Sequence, residues 1–110
     1  MPVNPKNASR RGFARFANKV PVEMIRPDRN DPVPASATLE DMSQSGALLL
    51  CQEAVPDGEW VVLRPDRHGA GYGTEVTAIV ERNLTPNESS AKLVLTFPQP
   101  LDYSVLALFR

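Results

Sequence analysis

Proline sets the strongest limit on what this chain can fold into. Eleven of its 110 residues are proline, and they fall between or at the ends of apolar runs. A proline inside a helix removes a hydrogen bond and clashes with the preceding turn, so this distribution argues against long helices and for short strands joined by turns. The segments between the prolines alternate accordingly. Lys19 to Arg26 sets Val20, Val22 and Met24 against Lys19, Pro21 and Glu23, the period-two pattern of a half-buried strand, with Pro21 marking its start or an edge. Ala35 to Glu40 follows, then Ala47 to Gln52, which is nearly continuous in apolar residues and therefore expected to be central. Glu59 to Arg64, Thr74 to Glu81 with Val76, Ala78 and Val80 on one face, and Lys92 to Phe97 with Leu93, Leu95 and Phe97 inward complete the set.

Turn sequences separate these runs at Pro27 to Pro34, at Pro56-Asp57-Gly58, at His68 to Gly73 and at Thr85 to Ser90. Six short strands in a chain long enough for one hydrophobic core predict an all-β fold, a small six-stranded antiparallel β-barrel that hides its own edges. Leu101, Val105, Leu108 and Phe109 recur at helical spacing, so at most a short C-terminal helix is expected, lying over a barrel opening. Residues 1 to 18 lack a sustained period and form a flexible N-terminal arm; residues 19 to 110 form the barrel domain.

Charge is distributed unevenly. The first 29 residues carry Lys6, Arg10, Arg11, Arg15, Lys19, Arg26 and Arg29 against Glu23 and Asp28, a local balance of +5 that leaves −6 for the remainder of a chain whose total is −1. A basic arm on an acidic body suits an anionic partner; a solvated basic tail is the alternative. Cys51 is the single cysteine, which excludes an internal disulfide and a cysteine zinc cluster and fits a small buried hydrophobe. His68 is the single histidine, reads as a turn residue among glycines, and leaves neither a metal site nor a nucleophile with its base. Gly69, Gly71 and Gly73 lack the following helix and Gly-Lys-Ser/Thr of a phosphate loop and read as a flexible hairpin. No apolar stretch approaches membrane-spanning length and no secretory signal is visible, so the expectation is a cytoplasmic protein that does not insert in membranes.

Two short motifs carry the chemistry. Arg11-Gly-Phe-Ala-Arg15 has a spacing that nine arginines would produce about 0.7 times by chance, whereas Asp41-Met-Ser43-Gln-Ser-Gly46 is expected only about 0.02 times from this composition. Arginine forks grip phosphate bidentately or stack on a base, and a four-residue separation spans about 13 Å extended or about 6 Å across a helical turn. Arg10 adds a third cation. Asp41 and Ser43 lie two apart and on a strand would present a carboxylate beside a hydroxyl on one face. Gly46 would permit a positive-φ turn or the close approach of a ligand to the backbone. The alternative is an ordinary turn in which Asp41 and Ser43 bond local amides. Strict alternation puts Leu39 and Asp41 on one face, a conflict that requires either a bulge near Glu40 or a position for Asp41 at the barrel rim.

In order and separation the two motifs resemble the signature of the PilZ domain, a bacterial receptor for cyclic di-GMP, over about residues 10 to 97. The resemblance implies that Arg10, Arg11, Arg15, Asp41, Ser43 and Gly46 bind cyclic di-GMP. The arginines would take phosphate and guanine, with Arg10 associated with binding a stacked pair of messengers. Asp41 and Ser43 would take a guanine edge. Guanine supplies N7 and O6 acceptors for an arginine fork and N1 and N2 donors for a carboxylate, so the residue types fit the ligand. Implied further are no catalysis and no cofactor, an arm that orders on the ligand, and output through a protein partner. Phe13 and Phe16, beside the arginines, either stack on bases or anchor the arm. Two other functions stay open: a PilZ-like adaptor that binds no nucleotide, and a small barrel binding single-stranded nucleic acid, the latter disfavoured by few aromatics and an acidic body.

Overall fold

The computed structural model describes residues 19–30, 32–65 and 74–109. In it the alternating runs become β1 (Val20–Ile25), β2 (Ala35–Met42), β3 (Gly46–Cys51), β4 (Trp60–Pro65), β5 (Val76–Asn83) and β6 (Ala91–Thr96). A short helix, α1 (Tyr103–Ala107), follows. The strands run antiparallel in the order β1-β2-β3-β6-β5-β4, and β4 pairs back onto β1 to close a barrel. Closure satisfies every strand on both sides and leaves no edge for another chain to extend. It also means that no strand is central, contrary to the expectation for β3. That strand is apolar throughout because Leu49 and Cys51 face the core while Leu48 and Leu50 sit, half-buried, on the outer face.

Two prolines mark one end of the closing seam. Pro21 precedes Val22, where pairing with β4 begins, and Val22 stands opposite Pro65, the last residue of β4. Both lie at a limit of this ladder, where a missing N–H is tolerated. The Pro56-Asp57-Gly58 turn also forms: Glu59 N–H donates to Pro56 O at 3.2 Å, and Gly58 takes φ of 87°. A side chain would be strained in that conformation.

Inward residues build one core from all six strands and the helix. Val22, Leu49, Val61, Leu63, Ala78 and Leu93 are fully enclosed. Among the described residues no polar or charged side chain is buried with them. Spacing alone selects Leu101, Val105, Leu108 and Phe109 for the C-terminal contact, but the fully buried pair is Leu106 and Phe109. Phe109 N–H donates to Leu106 O at 3.2 Å, a tight last turn that brings both side chains into the core. Leu101, Val105 and Leu108 pack around them, partly buried.

Parity breaks twice. Leu39 pairs with Leu49 but Asp41 with Leu48, so Glu40 is an extra residue in β2. Val80 pairs with Leu95 but Arg82 with Val94, so Glu81 is an extra residue in β5. The first bulge resolves the Leu39/Asp41 conflict: Leu39 and Met42 are both buried, and Glu40 and Asp41 between them are both partly exposed.

Charged pairs tie strands together on the outside. Arg26 donates from Nε and Nη2 to the two carboxylate oxygens of Glu59 at 2.6 and 2.9 Å. Those hydrogen bonds, against the opposing effect of burial, hold the Glu59 carboxyl below its usual range. Arg64 donates to Glu23 at 2.7 Å, and Lys92 lies 3.3 Å from Glu40. Cys51 is buried, as expected, and its Sγ–H points to Glu53 O at 3.1 Å. Burial pushes its thiol pKa up.

Candidate functional site

The β2 bulge and the turn after it make one side of an open groove on the outer face of the barrel. Its lining includes Asp41, Ser43, Gly46, Leu48, Val94, Glu81, Arg82 and Thr96, and its volume is about 620 Å³. The register explains this grouping. Asp41 stands opposite Leu48, Leu48 opposite Val94, and Val94 opposite Arg82, so a single transverse row crosses β2, β3, β6 and β5. Residues in direct register share a face, and three strand spacings of about 4.8 Å make the row about 14 Å long along the curved sheet. A carboxylate stands at one end and a guanidinium at the other, with the aliphatic side chains of Leu48 and Val94 as the floor between them.

The second row is set by the turn. Ser43 N–H donates to Gly46 O at 2.9 Å, which closes the β2–β3 hairpin around Gln44 and Ser45. Ser43 lies just past the end of β2, and its hydroxyl stays in the turn: it lies 3.4 Å from Gly46 O, accepts from Ser45 N–H at 3.4 Å, and is 3.3 Å from Ser45 Oγ. These are long, weak contacts that leave the oxygen free to exchange them for a better partner. Gly46 stands opposite Thr96. A Cβ on Gly46 would lie 2.5 Å from the carbonyl oxygen of Leu95 and 3.8 Å from Thr96 Cα. Glycine is therefore required here by the approach of β6, not by a positive φ; Gly58 is the one glycine with positive φ among the described residues. Of the two alternatives for Gly46, the left-handed turn is therefore not the one formed.

The turn is also tied to the C-terminal segment. Gln44 Nε2 donates to Leu101 O at 2.7 Å, Leu101 N–H donates to Gln44 O at 2.9 Å, and Phe97 N–H donates to Ser45 O at 3.0 Å. The hairpin at the groove is thus anchored directly to the segment that leads into α1.

Of the six residues singled out in the sequence, Asp41, Ser43 and Gly46 are brought together in the groove. Arg10, Arg11 and Arg15 lie outside the described residues, as do His68 and the Gly69, Gly71 and Gly73 loop. Leu48, Val94, Glu81, Arg82 and Thr96 join the site without having been singled out. The one signal for them was the unbroken apolar character of β3, whose outward Leu48 has no core to face. Arg82 carries no local signal, because only strand register brings it near. Among the described residues no group of three or more His, Cys, Asp or Glu could hold a metal ion, and no helix is long and apolar enough to cross a membrane.

A closed six-stranded antiparallel barrel with an outward groove beside an Asp-x-Ser-x-x-Gly hairpin defines a recognisable class of domain. The model of the PilZ domain matches residues 9–107, nearly the whole chain, and the protein belongs to the PilZ domain family. Its fold is similar to that of the Bacillus subtilis Inhibitor of motility (MotI/DgrA), with a TM-score of 0.59 and 16% sequence identity over 88% of this chain. The chain spans 46% of that protein, about half its length. Sequence comparison with curated proteins returns no match.

Proposed function

We propose that this PilZ domain is a cyclic di-GMP receptor whose groove holds a guanine through Asp41 and Ser43 and whose N-terminal arm closes over the ligand. The observation that carries the reading is the position of Asp41: the Glu40 bulge turns its carboxylate outward, beside an aliphatic floor of Leu48 and Val94. A flat purine lying on that floor would bring its N1–H and N2–H donors to a carboxylate, a charge-assisted pairing. Arg11 and Arg15, with Arg10, would take the phosphates and the second edge of the base. Their contacts with the ligand exist only with the arm closed, so binding shifts the population toward the closed state. The output in this reading is altered contact with a protein partner, with no chemical step and no cofactor.

A second reading is a PilZ adaptor that binds no nucleotide. It is favoured by the local duties of Ser43 in the turn and of Gly46 beneath the Leu95 carbonyl, which need no ligand to explain them. Titration calorimetry with cyclic di-GMP, cyclic di-AMP and GMP on the wild type and Arg15→Ala separates the two. The receptor reading expects micromolar or tighter binding of cyclic di-GMP alone and its loss in Arg15→Ala. Absence of heat with cyclic di-GMP at high micromolar concentration leaves the adaptor.

A further inference from the structure

Arginines on the described surface are almost all committed to carboxylates. Arg26 pairs with Glu59 and Glu53, Arg29 with Glu53, and Arg64 with Glu23 and Glu75. Arg82 is the exception among the described residues. Its neighbour Glu81 does not take it up; the Glu81 carboxylate accepts from Thr96 Oγ1 at 2.9 Å instead. The bulge at Glu81 puts both side chains on the outside and aims Arg82 into the groove. Bulges recur where a strand must redirect a side chain toward a ligand.

The second bulge mirrors the first. Each lies beside one member of the outward pair Leu48 and Val94, and the two present opposite charges at the ends of one row, Asp41 on β2 and Arg82 on β5. The row is about 14 Å long between backbone positions. With the second edge of the first base taken by Arg11 and Arg15 in the reading above, Arg82 is left for the second base of a ligand whose two bases are joined through a phosphate ring.

On the reading of the groove as a cyclic di-GMP site, we infer that Arg82 is a specificity-determining residue that reads the second guanine of the same molecule, its fork donating to O6 and N7. Asp41 accepts from N1 and N2 of the first guanine. The two ends therefore read opposite edges of the two bases, and a ligand with a single guanine satisfies only one of them. Adenine offers N7 but carries an amino donor in place of O6, so it meets the Arg82 fork with a donor facing a donor.

The test compares cyclic di-GMP with cyclic GMP–AMP on the full chain, by calorimetry, for the wild type, Arg82→Ala and Arg82→Lys. Arg82 has no partner to lose among the described residues, so both variants should keep the wild-type melting temperature. The wild type should prefer cyclic di-GMP by about tenfold or more, the discrimination expected of one bidentate base contact. Arg82→Ala should lower cyclic di-GMP affinity by a similar factor and bring the two ligands to near-equal affinity. Arg82→Lys, which keeps the charge but lacks the fork, should also lose the preference. Unchanged affinity in Arg82→Ala overturns the inference. So does an equal loss for both ligands, since a guanidinium acting only on phosphate leaves the ratio untouched. Wild-type protein that binds neither ligand removes the receptor reading itself, a result distinct from either.

Discussion

Gly46→Ala separates the structural duty of the motif glycine from any duty to a ligand. The added methyl would lie 2.5 Å from the Leu95 carbonyl oxygen, whereas carbon and carbonyl oxygen normally come no closer than about 3.3 Å. β3 and β6 must then separate by roughly 0.8 Å at the first pair of their ladder, next to the Phe97 to Ser45 hydrogen bond of 3.0 Å. Forcing an extra methyl into a packed site costs about 1–3 kcal/mol, and stretching that hydrogen bond adds about 0.5–1 kcal/mol. Alanine recovers about 0.4–1 kcal/mol by restricting the unfolded chain. The balance is a loss of about 1–3 kcal/mol, which for a domain of this size lowers the melting temperature by about 5–12 °C. Urea unfolding, followed by far-UV circular dichroism and by the fluorescence of Trp60, measures the loss without reference to any ligand. A variant as stable as the wild type to within about 0.5 kcal/mol, the ordinary range for a surface change, refutes the reasoning and returns Gly46 to a role in ligand access.

Two further outcomes follow from the bonds described. Because Arg26 holds the Glu59 carboxyl below its usual range, the folded state binds that proton less readily than the unfolded chain; the stability from this pair is fully present above the unfolded value of about 4.3 and is lost as pH falls through the folded value. Glu59→Gln should therefore lower the urea midpoint at pH 7 and flatten its decline between pH 5 and pH 3, and an unaltered acid profile contradicts the pairing. Gln44→Ala removes the amide donated to Leu101 O at 2.7 Å and should cost about 1 kcal/mol. Amide exchange should quicken at Leu106 and Phe109 ahead of the β-strands; uniform exchange contradicts an anchoring role for Gln44.

Alternation and proline placement made the barrel legible, because a closed sheet imposes one buried face on every strand and Val20, Val22 and Met24, or Leu93, Leu95 and Phe97, have no other way to bury themselves together. The β2 bulge was legible for a different reason. Leu39 needed the core and Asp41 needed the outside, and two residues of like parity cannot satisfy both without an insertion. In β5 the run Val80-Glu81-Arg82 posed no such conflict, since consecutive charged residues also read as the natural end of a strand. Register across four strands then decided that Arg82 meets Asp41's row, and register is a property of pairing that no single strand contains. Gly46 was identified by its motif, but its crowding by β6 was not legible, because the crowding atom belongs to Leu95, nearly fifty residues away in sequence. Leu106 was missed because the helix ends within two turns and its last turn tightens, which replaces Leu108 with Leu106 beneath Phe109.

An NMR titration of the isotopically labelled full chain with cyclic di-GMP tests the location of the site most directly. The expected result is amide shift changes concentrated at Ser43, Gly46, Leu48, Arg82, Val94 and Thr96, together with residues 10 to 15. Shift changes confined to the opposite seam of the barrel, around Glu23 and Arg64, or an unchanged spectrum at saturating ligand, contradict a nucleotide site in this groove.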